Sequence, residues 1–304
     1  MVGNFFQELA KKLAERWAVL LMLPGALFVM IAWAGSRLGQ RHALDWSRLN
    51  GIVSTTAASI SRQSPGTQAV LVVAVLLAAT GAGAATQALA GWTRLIWLGQ
   101  WPRVLAPWQR WRIRRRRHRW HGHVQRRQRL EQAAPRPTRT TEQQDAIDVA
   151  AGRANRIAMA EPGRPTWMGD RIHAVERVAL NRYGLDLPFT WPRLWLVLPD
   201  ATRTEIATTH GAFAAAVATG TWAWPYLFLG IRWWPAILIG VVVSLVGRAH
   251  GRSAVADLTT LSESALDLHA RLLAKALGVA GEQSTGPLTL TEGFEVTALV
   301  RKGR

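Results

Sequence analysis

The sequence predicts an all-α integral membrane protein, with four transmembrane helices and a helical cytoplasmic region. Three observations predict it. Four apolar runs carry no Asp, Glu, Lys or Arg between Trp17 and Ala34, Thr67 and Ala90, Gly211 and Gly230, or Trp233 and Gly247. Each approaches the ~20 residues that cross a hydrocarbon layer. Directly after the second run, Gly91–Leu130 holds twelve arginines and six tryptophans and no carboxylate, the composition of a cytoplasmic footing below a membrane helix. The polar segments repeat apolar residues three and four apart, the period of an amphipathic helix.

Composition narrows the function classes. The chain has 304 residues and a formal charge of +18. Its mean hydropathy is only +0.05, an average of apolar spans and Arg-dense segments. It has no cysteine, which excludes disulfides, thiol catalysis and Cys-based zinc sites. A charge of this sign selects nucleic acid or anionic lipid as a partner, and its placement along the chain decides between them.

The elements follow in order. Residues 1–16 read as an amphipathic helix lying in the interface, with Phe5, Phe6, Leu9 and Leu13 at helical spacing and Lys11, Lys12 and Arg16 around them. Residues 17–34 form the first span, kinked at Pro24-Gly25. Ala32-Trp33-Ala34 also fits a signal-peptide cleavage site. The run exceeds the ~7–15 apolar residues of such peptides, which favours a retained span. Residues 35–66 form an external loop whose short helix, Trp46–Ile60, is capped by Asp45 and which ends at Ser64-Pro65-Gly66. Residues 67–90 form the second span. Its pairs Gly81/Ala85 and Ala84/Ala88 fit either close helix contact or an Ala-rich lipid face.

Residues 91–130 are the Arg/Trp juxtamembrane segment, and 131–210 a helical cytoplasmic region. There the pattern predicts helices over Glu142–Ala160 and Asp170–Tyr183. The second is capped by Asp170, with Arg171 solvated, and stopped by Gly184. A short helix starts at Pro192, and Asp200 caps the next. Residues 211–229 form the third span and 233–249 the fourth, joined by a turn at Gly230–Trp234, with Gly240, Ser244 and Gly247 on one stripe. Residues 250–304 form a cytoplasmic tail. Its helix, Ser253–Ala276, carries a seam of Leu258, Leu261, Ala265, Leu268 and Leu272 that suits packing on other cytoplasmic helices of the chain. A terminal helix covers Glu292–Val300.

Cation placement orients the chain. Lys11, Lys12 and Arg16 precede the first span, Arg94 and its successors follow the second, and Arg248 and Arg252 follow the fourth. The other side has Arg37, Arg41, Arg48, Arg62 and Arg232, thinly spread. The bias puts both termini in the cytoplasm of a bacterial inner membrane.

The tract supplies the candidate contact residues. Arg94, Arg103, Arg110, Arg112, Arg114, Arg115, Arg116, Arg117, Arg119, Arg126, Arg127 and Arg129 are expected to meet anionic lipid or an acidic partner. Trp92, Trp97, Trp101, Trp108, Trp111 and Trp120 are expected as interfacial anchors. Interleaved Trp and tethering beside a span favour phospholipid over nucleic acid. His118, His121 and His123 form a close trio, but the surrounding arginines oppose a divalent cation and no carboxylate stands near to offset them. No metal or other cofactor is expected. No charge inside the spans marks a proton relay, and no Walker A, His-Glu-x-x-His, Gly-x-Ser-x-Gly or dinucleotide loop occurs.

Pro165–Arg171, Tyr183–Asp186 and Trp191–Asp200, with the Trp97–Pro102 string and Leu266–His269, resemble a group of uncharacterised actinobacterial multi-pass membrane proteins. The resemblance implies architecture and host, and no site residues. The expected role is non-enzymatic: a membrane anchor or scaffold for a cytoplasmic protein partner. The alternatives are an oligomeric pore or pore-forming effector, suggested by the small-residue faces, and a lipid-modifying enzyme.

Overall fold

A computed structural model of the chain describes residues 22–301. The amphipathic segment 1–16 and residues 17–21 of the first span lie outside the described residues. Among the described residues the fold is all-helical. The helices are α1 (Leu23–Leu38), α2 (Trp46–Ser61), α3 (Pro65–Ala88), α4 (Ala90–Trp97), α5 (Ala106–Ala133), α6 (Thr141–Ile157), α7 (Trp167–Tyr183), α8 (Leu187–Val197), α9 (Asp200–Thr221), α10 (Ala223–Leu229), α11 (Pro235–Ala276) and α12 (Leu290–Arg301). Three stretches are long and apolar enough to cross a membrane: Pro65–Trp97, Asp200–Leu229 and Pro235–Ala276. Helix α1 is apolar but has 16 residues. The chain forms two units. One takes the residues up to Thr93 and Ala215–Ala249; the other takes Arg94–Ala214 and His250–Arg304.

The first unit is held by small residues and aromatic contacts. Gly25 of α1 lies so close to α3 that a Cβ there would stand 2.0 Å from the Ala79 carbonyl oxygen. Ala79, Gly83 and Thr86 are the buried residues of α3. Gly81, Ala84, Ala85 and Ala88 are exposed, so of the two readings of these pairs the structure gives the outward-facing one. The stripe on α11 matches its expectation: a Cβ on Gly240 would meet Leu227, and one on Gly247 would come within 2.6 Å of the Gly220 backbone. Phe28 meets Tyr226 edge-on at 5.4 Å. Polar groups here are satisfied locally, as a low-dielectric setting requires. The Thr221 hydroxyl donates to Val217 O and meets the Thr93 hydroxyl at 3.0 Å, which also accepts from Trp224 Nε1.

Asp45 caps α2 by accepting from Arg48 N–H, and Ser64 caps α3 ahead of Pro65. The turn at 230–234 is clasped by the segment after α1. Gln40 donates to Ile231 O at 2.8 Å and accepts from Trp234 N, and Trp233 Nε1 donates to Ala43 O.

The second unit has its own core, in which Leu185, Leu194, Leu266, Leu273 and Val296 are at most 1% exposed. Helix α7 stops at Gly184, whose φ of 67° suits a residue without a side chain. Helix α12 crosses that turn so closely that a Cβ on Gly293 would overlap Tyr183 O at 1.5 Å. Thr297 fastens the crossing, donating to Gly184 O and accepting from Asp186 N. Thr289 and Glu292 cap α12 reciprocally.

Several expected boundaries move. Helix α8 starts at Leu187 rather than Pro192: Pro188 takes the first turn, where a missing N–H costs nothing, and Pro192 sits inside the helix. The expected fourth span and tail helix are one helix, α11, of 42 residues. Gly251 does not break it, because its bare Cα fits under the Trp97 ring, 2.7 Å from where a Cβ would be. Asp200 is not the cap of α9 but lies in its first turn, where Pro199 O accepts from Arg203 N. The expected seam on α11 holds in its first half, where Ala265 is in the core and Leu258 and Leu261 pack against it, and fails in its second. Leu268 and Leu272 are 74% and 42% exposed, while Leu266, Ala270 and Leu273 fill the core.

Candidate functional site

Helix α5 carries ten of the twelve tract arginines on 28 residues, about 42 Å of helix, and Arg94 and Arg103 precede it. Gly99, at φ 70°, ends the preceding α4. The end of α4 is docked on the start of α7: the Thr166 hydroxyl donates to Trp97 O at 2.7 Å, and Gly169 passes beneath Leu98 O. Pro107 then takes the first turn of α5.

Asp170 is the hub that fixes α5. Its side chain is 3% exposed. One carboxylate oxygen accepts from Gly163 N at 2.8 Å and Arg164 N at 2.6 Å. The other accepts from Arg116 Nε at 3.0 Å and Nη2 at 2.6 Å. Arg116 Nη2 also donates to Ile157 O at 2.7 Å. Burial pushes the Asp170 carboxyl above its ordinary range, against the pull of the Arg164 N–H, the Arg116 charge and the Gly163 N–H. This corrects the expectation of a capping Asp170 beside a solvated Arg171. Thr166 is the cap, accepting from Gly169 N, and Arg171 Nε donates to Thr259 Oγ1 at 2.9 Å.

The structure sorts the tract into two sets. Some members serve the fold. Arg116 holds Asp170. Arg117 donates to Pro162 O and pairs with Glu161 at 3.3 Å. Arg127 pairs with Glu131 at 2.8 Å, and the Arg112 guanidinium lies over the Trp101 ring. Trp97 is buried, Trp120 Nε1 donates to Ala158 O, and Trp101 Nε1 donates to Ile96 O. The other set faces outward: Arg94, Arg103, Arg110, Arg114, Arg115, Arg119, Arg126 and Arg129 are exposed, as are Trp92, Trp108 and Trp111. Arg115 stacks over Trp111 at 5.5 Å, one turn away.

A second feature lies in the same unit and has no counterpart among the residues expected from sequence. A groove of about 460 Å³ is lined by Trp191, Trp195, Ile206, Ala207, His210, Leu258 and Ser262. The sequence signal was the Trp191/Trp195 pair one turn apart on α8, with ring centroids at 6.5 Å. Leu258, Leu268 and Leu272 share a side of α11 by their spacing; the first lines the groove and the other two stand exposed.

His118 and His121 are exposed and His123 half-buried. His121 lies 3.8 Å from Glu161. Among the described residues no three His, Asp or Glu side chains converge as metal ligands. No protein-family model, curated protein or solved structure matches the chain.

Proposed function

We propose that this chain is a scaffold of the bacterial cytoplasmic membrane. It has four spans and both termini in the cytoplasm, and it docks a soluble protein on its second unit. The observation that carries the reading is the groove together with the exposed leucines of α11. They offer an apolar helix of a partner an anchor pocket and a stripe of the size such recognition uses. The membrane assignment draws on the three membrane-length helices and on the cation bias. It also draws on the contacts of Gln40 and Ala43 with the 230–234 turn, which join the two segments expected to be external. Anionic phospholipid is the second partner, met by exposed members of the tract.

A photo-crosslinking residue at Leu268 in native membranes tests the docking. One discrete adduct with a soluble protein, lost when Leu272→Glu is added, is expected. No adduct at Leu268 overturns the reading. The rival, an oligomeric pore, draws on the exposed face of Gly81, Ala84, Ala85 and Ala88 on α3. Release of a trapped dye from vesicles holding the purified protein decides for it.

A further inference from the structure

Helix α5 spends one side on its own protein and keeps the other bare. Trp108, Trp111, Arg115, Arg119, Arg126 and Arg129 recur with Gly122 at steps of three and four, so they share one face over about 32 Å. All six side chains are exposed, and a Cβ on Gly122 would meet nothing within 4 Å. Three carboxylates pair with other arginines of α5: Glu131 with Arg127, Glu161 with Arg117, and Asp170 with Arg116. Glu142, Asp145 and Asp148 of α6, which packs along α5, are in no ion pair with the face. Among the described residues none of Arg115, Arg119, Arg126 and Arg129 is in an ion pair, so the face is cationic.

We propose that this face of α5 binds the surface of an anionic phospholipid bilayer, with Trp108 and Trp111 in the headgroup layer and the four arginines on lipid phosphates. The inference rests on the reading of the chain as membrane-embedded and narrows the tract to a specific face. Charge complementarity selects an anionic partner. The aromatic distribution selects lipid. Single-stranded nucleic acid is gripped by aromatics that recur along the strand to stack successive bases. Here both tryptophans sit at one end of the face, the end that follows the membrane-length stretch Pro65–Trp97, as interfacial residues do. Arg115 lies over Trp111, so ring and charge are presented together.

The absence of cysteine makes a single-label test direct. The full chain carrying Gly122→Cys with a nitroxide is placed in phosphatidylcholine vesicles, with or without phosphatidylglycerol. A second label at Gly152→Cys, on α6 and also in open space, serves as reference. Phosphatidylglycerol is expected to shield the Gly122 label from an aqueous relaxation agent and leave the Gly152 label unchanged. Each arginine near an anionic leaflet changes occupancy by about fivefold, so the variant R115Q/R119Q/R126Q/R129Q loses the shielding. Its Gly152 spectrum, unchanged, shows that the unit is still folded. Equal exposure of the Gly122 label in both vesicle types overturns the proposal. So does immobilisation by an RNA oligonucleotide in phosphatidylcholine alone, which would assign the face to nucleic acid. Either result leaves the Leu268 crosslink, and with it the scaffold reading, untouched.

Discussion

Removing Arg116 isolates a carboxylate in the protein interior. In Arg116→Met the chain keeps an apolar stem of similar length. Asp170, whose side chain is 3% exposed, then retains only the N–H groups of Gly163 and Arg164. Breaking a buried pair by deleting one partner costs about 3–5 kcal/mol. The Arg116 side chain is 19% exposed, and solvent screens part of its charge, so the lower end, about 3 kcal/mol, is expected. Asp170→Asn leaves a cation facing an amide and costs about 2 kcal/mol. Because each single change strands the other group, the double variant R116M/D170N should cost about 2 kcal/mol less than the sum of the two. The assay is equilibrium unfolding of the full chain in detergent, read by tryptophan near-ultraviolet dichroism across the four members of the cycle. Additive costs would refute the reasoning, since they would mean that Arg116 and Asp170 do not depend on each other.

Three further outcomes are expected. Gly25→Ala should destabilise by about 1–3 kcal/mol by forcing backbone apart, because its Cβ would meet Ala79 O. Gly81→Ala, in open space on the same pair of helices, should be neutral or gain up to about 1 kcal/mol by helix propensity in the same melts. Burial first, then the hydrogen bond to Asp267, pushes Tyr183 up to about 12. Its proton is held more tightly folded than unfolded, so its contribution is full below pH ~10 and is lost as pH rises toward ~12. A phenolate absorbance titration of Tyr226→Phe, which leaves Tyr183 as the chain's one tyrosine, should show no ionisation near pH ~10 until the protein unfolds. Glu292 is held below its ordinary range, chiefly by the Thr289 N–H and hydroxyl. Its contribution is present above that range and is lost as pH falls through the lowered value. Glu292→Gln should flatten the acid limb of the stability profile.

The helices were legible where the pattern is local. The Asp45 cap, the Gly184 stop, the 230–234 turn and the Gly240/Gly247 stripe all follow from residue type and spacing. What failed depends on partners distant in sequence. Asp170 resembles any cap when only its neighbours are read; its role comes from Arg116, 54 residues away. Leu268 and Leu272 fit an apolar seam by period, yet the burial of Leu266 and Leu273 is decided by where α8 and α12 lie. The arginine tract was legible as a composition and not as a surface. Spacing alone did not separate Arg116 and Arg117, which hold loop carbonyls, from Arg115 and Arg119, which face outward. The groove went unread because its lining comes from α8, α9 and α11, which only the fold brings together.

The core of the second unit carries a schedule for biogenesis. Its buried residues come from two stretches of chain: Leu185 and Leu194 from one, and Leu266, Leu273 and Val296 from the other. Between them in the sequence lies Ala215–Ala249, which belongs to the other unit. A chain made from its N-terminus exposes the first stretch while the second is still unmade. The apolar sides of α7 and α8 must therefore wait until Ala215–Ala249 and then the rest of α11 have been made. Completion of the second unit thus depends on a segment that lies outside it: a chain cut short within Ala215–Ala249 would hold Leu185 and Leu194 without the residues that bury them.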